Sequence, residues 1–263
     1  MLRYNKLAYP PPPPPSVEIN ETNVIDFTFL DNTYNIATQV VAAIRAVSPT
    51  VEIWAGEVGP HNGDGGPGEI PVRIANCSGN LVCGRFGSTI WYADAMSSKA
   101  RAGYAAFCRQ DFIGADYGLM NFTSHAPSTD YWLLTLWQRL VGPRVLTIST
   151  PPSDPRVRVT AFCSPKNGTV TLLIINLAPS SICLAPPGFA DGITPRVEYG
   201  LTPTDGSVTS SYIDLNGVQL VFGPGGAMPL MPGVPVDASA PINLPPLSVT
   251  FVEIFTNADA CMA

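Results

Sequence analysis

The stretch VEIWAGEVGPHNGDGGPG, residues 51–68, places one acidic side chain, Glu57, between a short apolar run and a glycine-rich loop. The run VEIWA is typical of a buried β-strand. In folds where parallel strands alternate with helices, functional groups lie at the carboxyl ends of the strands. Glycines in the following loop let backbone amides approach a ligand closely. The stretch therefore predicts a strand whose end presents Glu57 to a ligand.

Helical patterns lie on both sides of this strand. Apolar residues recur at helical spacing from Ile36 to Val47, with Asp31 or Asn32 as the expected cap. The predicted bounds are 31–48 for this helix, 86–96 for a second helix, 103–108 for a second strand and 130–140 for a third helix. Alternating helices and strands indicate parallel strands that are covered by helices. Two such strands do not form a stable sheet alone, so we expect the rest of the sheet to lie outside this sequence.

The pattern changes after Val145, where helical periodicity gives way to short β-rich runs. The run YIDLNGVQLVF is predicted to be a hairpin whose two-residue turn is Asn216-Gly217, because both residues tolerate positive φ. The segment FGPGGAMPLMPGVPV is predicted to be a loop. The other predicted strands are 157–163, 169–176, 196–199 and 248–255. This half of the chain is predicted to be an antiparallel sandwich.

Composition excludes several classes of function. Hydrophobic residues make up 46% of the chain and charged residues 13%, which is typical of a folded protein. The net charge of -6 comes without a basic cluster, so nucleic acid is not an expected partner. Six cysteines fit an oxidising compartment and predict a secreted protein. Four N-x-S/T acceptors agree with this, at Asn20, Asn76, Asn121 and Asn167.

Several motifs together resemble the heparanase-like β-glucuronidases, glycoside hydrolase family 79, and the plant-type members above all. They are WAGEVGPHNGDGG, FCRQDFIGADYGLMN, STDYWLLTLWQRLVGPRVL, RVRVTAFC, LLIINL, DLNGVQL and LPPLSVTFVEIFTNADAC. The resemblance implies an α/β plus all-β protein, an incomplete C-terminal part of a (β/α)8 TIM barrel followed by an antiparallel β-sandwich. The expected domains are a proline-rich leader over 1–24, the barrel part over 25–145 and the sandwich over 146–263.

The resemblance also implies roles for individual residues. Glu57 takes the place of the catalytic nucleophile, and its carboxylate is expected at the rim of a sugar pocket. Substrate-binding residues are implied at Gln110, Tyr117, Gly65, Gly66 and Arg109. Other interpretations remain open, because Arg109 and Gln110 would also suit a buried polar brace and Tyr117 a core aromatic residue. His61 is expected on the surface.

One part of the family's chemistry has no counterpart in the sequence. A retaining glycosidase needs two carboxyl groups about 5 Å apart. The family's acid/base lies in an Asn-Glu pair after an earlier barrel strand, whereas the only such pair here, Asn20-Glu21, follows the proline-rich leader. We therefore expect a fragment that lacks the acid/base, has no glycosidase activity alone and belongs with a missing N-terminal half of the barrel.

The cysteines lead to separate expectations. The resemblance implies a disulfide between Cys163 and Cys261, and the loop NCSGNLVC suggests a second one between Cys77 and Cys83. Their spacing suits no common zinc motif, so no metal or other cofactor is expected. Cys108 is predicted to be a buried free thiol, and Cys183 has no assigned role.

The implied substrate is a glucuronic-acid-containing glycan or proteoglycan. Because the chain is acidic and has few basic residues near the loop, weakly charged glucuronides are favoured over heparan sulfate. The expected location is extracellular, cell-wall or lysosomal/vacuolar, with membrane association left open. A non-catalytic glycan-binding or interaction protein, or an unrelated sandwich lectin, are the alternatives.

Overall fold

The computed structural model describes residues 19–59, 81–114, 117–185 and 196–262. In these ranges the chain first alternates helices with strands and then forms an antiparallel sheet. The first part contains α1 (Phe27–Val47), β1 (Trp54–Val58), α2 (Phe86–Ala102), β2 (Ala106–Arg109) and α3 (Thr129–Leu140). The second contains β3 (Val145–Leu146), β4 (Val157–Cys163), β5 (Thr169–Asn176), β6 (Ile182–Leu184), β7 (Arg196–Pro203), β8 (Ile213–Leu215), β9 (Val218–Gln219), β10 (Val234–Val236), β11 (Ile242–Leu244) and β12 (Ser248–Phe255).

Helix α1 begins one turn earlier than predicted. Its cap is Asp26, whose side chain accepts a hydrogen bond from the Thr28 amide at 2.9 Å. The predicted caps were wrong because a side chain that bonds free amides of the first turn can lie ahead of the apolar pattern. The residues that give the helix its pattern, Ile36, Val40 and Val47, are exposed. The helix ends at Val47 with Ser48 as its C-cap, in agreement with the predicted end at Ser48-Pro49.

Strands β1 and β2 pair in parallel, as the alternation of elements predicted. Strand β1 starts three residues later than expected, so Glu57 lies within the strand and not after it. The register is irregular between Ala55 and Val58, which identifies a bulge at Gly56 and Glu57. Two successive residues of β1, Gly56 and Glu57, are exposed at the bulge.

The two faces of this small sheet differ. Ala55 and Val58 are buried on the side of the helices, and Phe107 packs edge-on against Trp137 of α3 with ring centroids 6.3 Å apart. On the other face, Trp54 is 61% exposed, and Cys108 is an exposed free thiol. The prediction of a buried Cys108 was wrong, because the described residues cover only one face of the sheet.

The second part is an eight-stranded, mostly antiparallel sheet with the order β3-β4-β5-β12-β7-β8-β9, and β10 also pairs with β7. The bounds of β4, β5 and β12 agree with the predictions. The predicted hairpin turn is confirmed, with positive φ at Asn216 and Gly217. The segment predicted to be only loop contains β10, which was missed because Val234–Val236 is short and contains a proline.

Two apolar clusters hold this sheet between two layers. Phe251 and Val249 of β12 face the cluster that includes Trp132 and Leu136 of α3. The other face packs against Ile242 and the rest of the two-stranded sheet formed by β6 and β11. The large sheet therefore lies between helices and a much smaller second sheet.

Polar contacts also join the helices to the large sheet. The first amides of α2 donate to the carbonyls of Ser210 and Val208, which satisfies groups that a helix leaves free. Arg158 of β4 forms ion pairs with Asp31 of α1 and Asp94 of α2. Burial raises the pKa of the Asp94 carboxyl, and Arg158 opposes this rise. Arg158 thus contacts both helices from the sheet.

The disulfide between Cys163 and Cys261 is present. Cys83 is also disulfide-bonded, and its expected partner, Cys77, lies outside the described residues. Cys183 is a free, exposed thiol on β6.

The surface features expected of a secreted protein remain predictions. Asn20, Asn121 and Asn167 are exposed, as glycosylation would require, while Asn76 lies outside the described residues. None of the helices in the described part of the chain has the length and hydrophobicity of a transmembrane segment.

Candidate active site

Glu57 lies on the exposed face of β1, at the bulge near the carboxyl end of the strand. Because Ala55 pairs with Phe107 and Val58 pairs with Arg109, the bulge lies opposite Cys108 on the neighbouring strand. No described residue donates a hydrogen bond to the Glu57 carboxylate or forms an ion pair with it. The carboxylate is therefore open to an incoming molecule.

Gln110 follows β2 at the same end of the sheet. Its amide donates to the Val58 carbonyl at 3.0 Å, so the strand ladder continues one residue beyond β2. The Gln110–Asp111 peptide bond is cis. The Gln110 side chain is half-buried and has no hydrogen-bond partner among the described residues. The carboxyl ends of the two parallel strands thus bring Glu57 and Gln110 to one end of the sheet.

Arg109 lies beneath this end, with its side chain only 4% exposed. Its guanidinium donates to three main-chain carbonyls, those of Val58 at 3.3 Å, Gln110 at 2.5 Å and Tyr117 at 2.8 Å. It also donates to Asp130 of α3 at 2.6 Å. The guanidinium is directed at protein groups, which favours the buried brace that the sequence left open.

Asp130 completes a network that the sequence did not reveal. Its carboxylate is fully buried and accepts from the Ser88 hydroxyl at 2.9 Å and the Thr89 hydroxyl at 3.0 Å, both in the first turn of α2. Asp130 was predicted only as the start of a helix. Its partners on α2 are more than 40 positions away in the sequence, so no local pattern links them.

Tyr117 and Tyr92 flank the guanidinium, with ring centroids 5.9 Å and 4.9 Å from it. Burial raises the pKa of the Tyr92 phenol. Tyr117 is 6% exposed and packs beside Cys83, which favours the core-aromatic interpretation. A Cβ on Gly59 would lie 3.1 Å from the Gln110 carbonyl, so this position leaves little room for a side chain.

The expected sugar pocket is not formed by the described residues alone. Cavities of about 630 and 640 Å³ lie elsewhere, one beside Asp94 and Arg158, the other beside Tyr104 and Trp137. Glu57 lines neither cavity, since nothing in the described residues covers its face of the sheet.

Three residues named by the sequence analysis, Gly65, Gly66 and His61, lie outside the described residues. Their predicted positions around Glu57 stay predictions. Within the described ranges, no group of His, Cys, Asp and Glu side chains could hold a metal ion.

Replacing Asp130 by alanine is expected to lower the free energy of unfolding by about 3 kcal/mol, because the buried charge of Arg109 loses its partner. The matched control is Asp154→Ala, which breaks the exposed pair with Arg156. Water screens that pair, so its loss should change stability far less. Urea unfolding of both variants measures the two free energies of unfolding. Equal losses would show that the buried pair stabilises the fold no more than the exposed pair does.

Sequence comparison finds several similar proteins, which are named as heparanase-like proteins, a glucuronidase or heparanases. The chain is 29% identical to heparanase-like protein 1 from Arabidopsis thaliana over 268 residues, covering 90% of this chain and 47% of that protein. It is 31% identical to the baicalin-β-D-glucuronidase of Scutellaria baicalensis over 176 residues, covering 66% of this chain and 33% of that protein. The chain thus spans about half or less of the length of the relatives it matches. No family model matches the sequence.

The fold is also found in solved structures. The crystal structure of a 4-O-α-L-rhamnosyl-β-D-glucuronidase from Fusarium oxysporum superposes with a TM-score of 0.63 at 15% identity, covering 89% of this chain and 50% of that one. The fold is thus shared with part of a TIM-barrel glycoside hydrolase. In sequence, the chain is similar to the heparanase-like β-glucuronidases, glycoside hydrolase family 79.

Proposed function

We propose that this chain carries the nucleophile of a retaining β-glucuronidase and that Glu57 is that nucleophile. The observation that carries the proposal is the position of Glu57 and Gln110 at the same carboxyl end of two parallel strands. This is where barrel enzymes place their catalytic groups. Sequence similarity to heparanase-like proteins supports the same assignment.

The domain organisation follows from this proposal. Residues 25–145 would form the C-terminal part of a (β/α)8 barrel, residues 146–263 a β-sandwich and residues 1–24 a connector. The uncovered face of β1 and β2 supports this division, because barrel strands are buried on both faces. The exposed residues Ile36, Val40 and Val47 of α1 would face the preceding barrel helix.

The proposed reaction has two steps. A carboxylate oxygen of Glu57 attacks the anomeric carbon, and the bond to the leaving oxygen breaks while an acid protonates that oxygen. Water then hydrolyses the glucuronosyl ester, with the former acid acting as base. Glu57 supplies the nucleophile, and we propose that the acid/base comes from the missing N-terminal half of the barrel. The chain alone is then inactive.

The proposed substrates are weakly charged glucuronides, such as glucuronic acid on proteoglycan side chains or small glucuronides. Gln110, Gly65 and Gly66 would contact the sugar. The acidic balance of 20 Asp and Glu to 14 Lys and Arg supports a substrate that needs no extended basic cleft. The similarity to a protein named baicalin-β-D-glucuronidase supports this class of substrate. We propose that the protein is secreted, on the basis of its cysteines and glycosylation motifs.

The test compares two proteins on an aryl β-glucuronide. One is the 263-residue chain. The other joins this chain to the part of Arabidopsis heparanase-like protein 1 that it does not match. We expect turnover only from the joined protein. Turnover by the chain alone that disappears in Glu57→Gln would overturn the proposed need for a second part, and a folded but inactive joined protein would count against the glucuronidase assignment.

A non-catalytic glycan-binding protein is the second candidate. The observation that favours it is the open environment of Glu57, which lines neither large cavity. In that case glucuronides would bind to the chain without turnover in either protein, and Glu57→Gln would leave the affinity unchanged. Equilibrium binding to a glucuronide, measured beside the turnover assay, separates the two candidates.

A further inference from the structure

Glu57 lies at an irregular position in the small sheet formed by β1 and β2. The regular register of β1 and β2 is interrupted at Gly56 and Glu57, between the pairs formed by Ala55 and Val58. A bulge leaves local backbone groups without ladder partners. The direction of the Glu57 side chain is therefore set mainly by how firmly the chain is held just after it, at Val58.

Arg109 holds the chain at that point. The Val58 carbonyl accepts from the Gln110 amide at 3.0 Å and from the Arg109 guanidinium at 3.3 Å. The same guanidinium binds the carbonyls of Gln110 and Tyr117, which belong to the neighbouring strand end and its loop. One side chain thus joins three segments: the strand of the candidate nucleophile, the candidate sugar contact Gln110 and the loop of Tyr117.

The guanidinium is itself held in place from below. Asp130 accepts from it at 2.6 Å and is fixed by the hydroxyls of Ser88 and Thr89. With the ring of Tyr92 on one side, the guanidinium plane has little freedom to rotate. Its Nε is buried without a hydrogen-bond partner in the described part of the chain, whereas both terminal nitrogens are engaged.

We propose that Arg109 is a positioning residue that sets the geometry of Glu57 relative to Gln110, and that it does not itself bind substrate. The catalytic meaning of that geometry rests on the proposed function. The test described below does not depend on it. Lysine should not replace arginine here. A single ammonium group lacks the planar fork that reaches carbonyls of separate segments at once.

Cys108 offers a probe of this geometry in the chain as it exists. It lies opposite the bulge on the same exposed face as Glu57. Neighbouring strands are about 4.8 Å apart, and this lies within the Cα separation that a disulfide accepts. In Glu57→Cys, mild oxidation with diamide should join the introduced thiol to Cys108. Cys183→Ser is included throughout to remove the other free thiol.

The experiment compares the rate of this cross-link in Glu57→Cys with its rate in variants that also carry Arg109→Lys or Arg109→Met. All rates are measured well below each variant's unfolding midpoint, where loss of global stability alone does not change them. We expect both changes at Arg109 to slow the cross-link about tenfold, since small misplacements strongly reduce intramolecular rates. The matched control is Arg156→Lys at an exposed ion pair, which should leave the rate unchanged.

Two results would overturn the inference. One is a cross-link rate that is the same with arginine and with lysine at position 109 in folded protein. The other is no cross-link in Glu57→Cys itself, which would show that this face is not arranged as described. If Arg109→Met does not fold, Arg109→Lys still decides the question. The outcome is independent of glucuronidase activity, which the turnover assay tests separately.

Discussion

Glutamine in place of Glu57 is expected to lower kcat of the joined protein on an aryl β-glucuronide by at least about 10⁴-fold, with a much smaller change in KM. The amide keeps the size of the side chain but does not act as an effective nucleophile toward the anomeric carbon. The side chain is exposed and has no described partner, so the substitution should not destabilise the fold. Activity and unfolding are measured on the same preparation.

Glu52→Gln is the matched control for this prediction. Glu52 lies in the same segment, is also exposed and precedes β1. Its carboxylate accepts a hydrogen bond from the Trp54 indole at 3.2 Å. Its replacement should leave kcat unchanged. A similar loss in both variants would mean that negative charge in this region, and not a nucleophile, accounts for the effect.

Azide identifies the role of Glu57 more directly. In Glu57→Ala, azide can occupy the space of the lost carboxylate and attack from the same face, so the product would be an α-glucuronosyl azide. If Glu57 were instead the acid/base, azide would replace water in the second step and give the β-product. The anomeric configuration, read by NMR, therefore distinguishes the nucleophile from the acid/base.

Local patterns were sufficient to predict most of the large sheet. Strands β4, β5 and β12 have the predicted bounds because their runs of apolar and β-branched residues are largely buried. The hairpin turn followed from the chemistry of two residues, Asn216 and Gly217. In these cases the structure depends on neighbours along the chain, which a sequence displays directly.

The candidate site could be predicted only in part. The motif around Glu57 indicated its position near a strand end, but the bulge depends on pairing with β2, and the sequence does not display that pairing. The link from Arg109 to Asp130, and from Asp130 to α2, joins residues distant in the sequence. The exposure of Cys108 depends on which layers cover the sheet, so its burial was wrongly predicted from strand character alone.

Loss of the disulfide between Cys163 and Cys261 should have the largest effect on stability. The two cysteines are 98 positions apart, so the cross-link restricts a long loop in the unfolded chain. On the chain-entropy account, this contributes about 4.7 kcal/mol to the free energy of unfolding. The double variant Cys163→Ser/Cys261→Ser should lose most of that amount in urea unfolding.

The position of the bond adds a local consequence. Cys163 ends β4, and the Cys261 carbonyl accepts from the Gly168 amide at 3.0 Å in the turn between β4 and β5. The bond therefore fixes the 3-10 helix Asp259–Cys261 to the end of β4, and its loss should increase hydrogen exchange in that segment. Cys108→Ser and Cys183→Ser are the controls, since both remove exposed free thiols. Equal unfolding midpoints for the double variant and these controls would contradict the prediction.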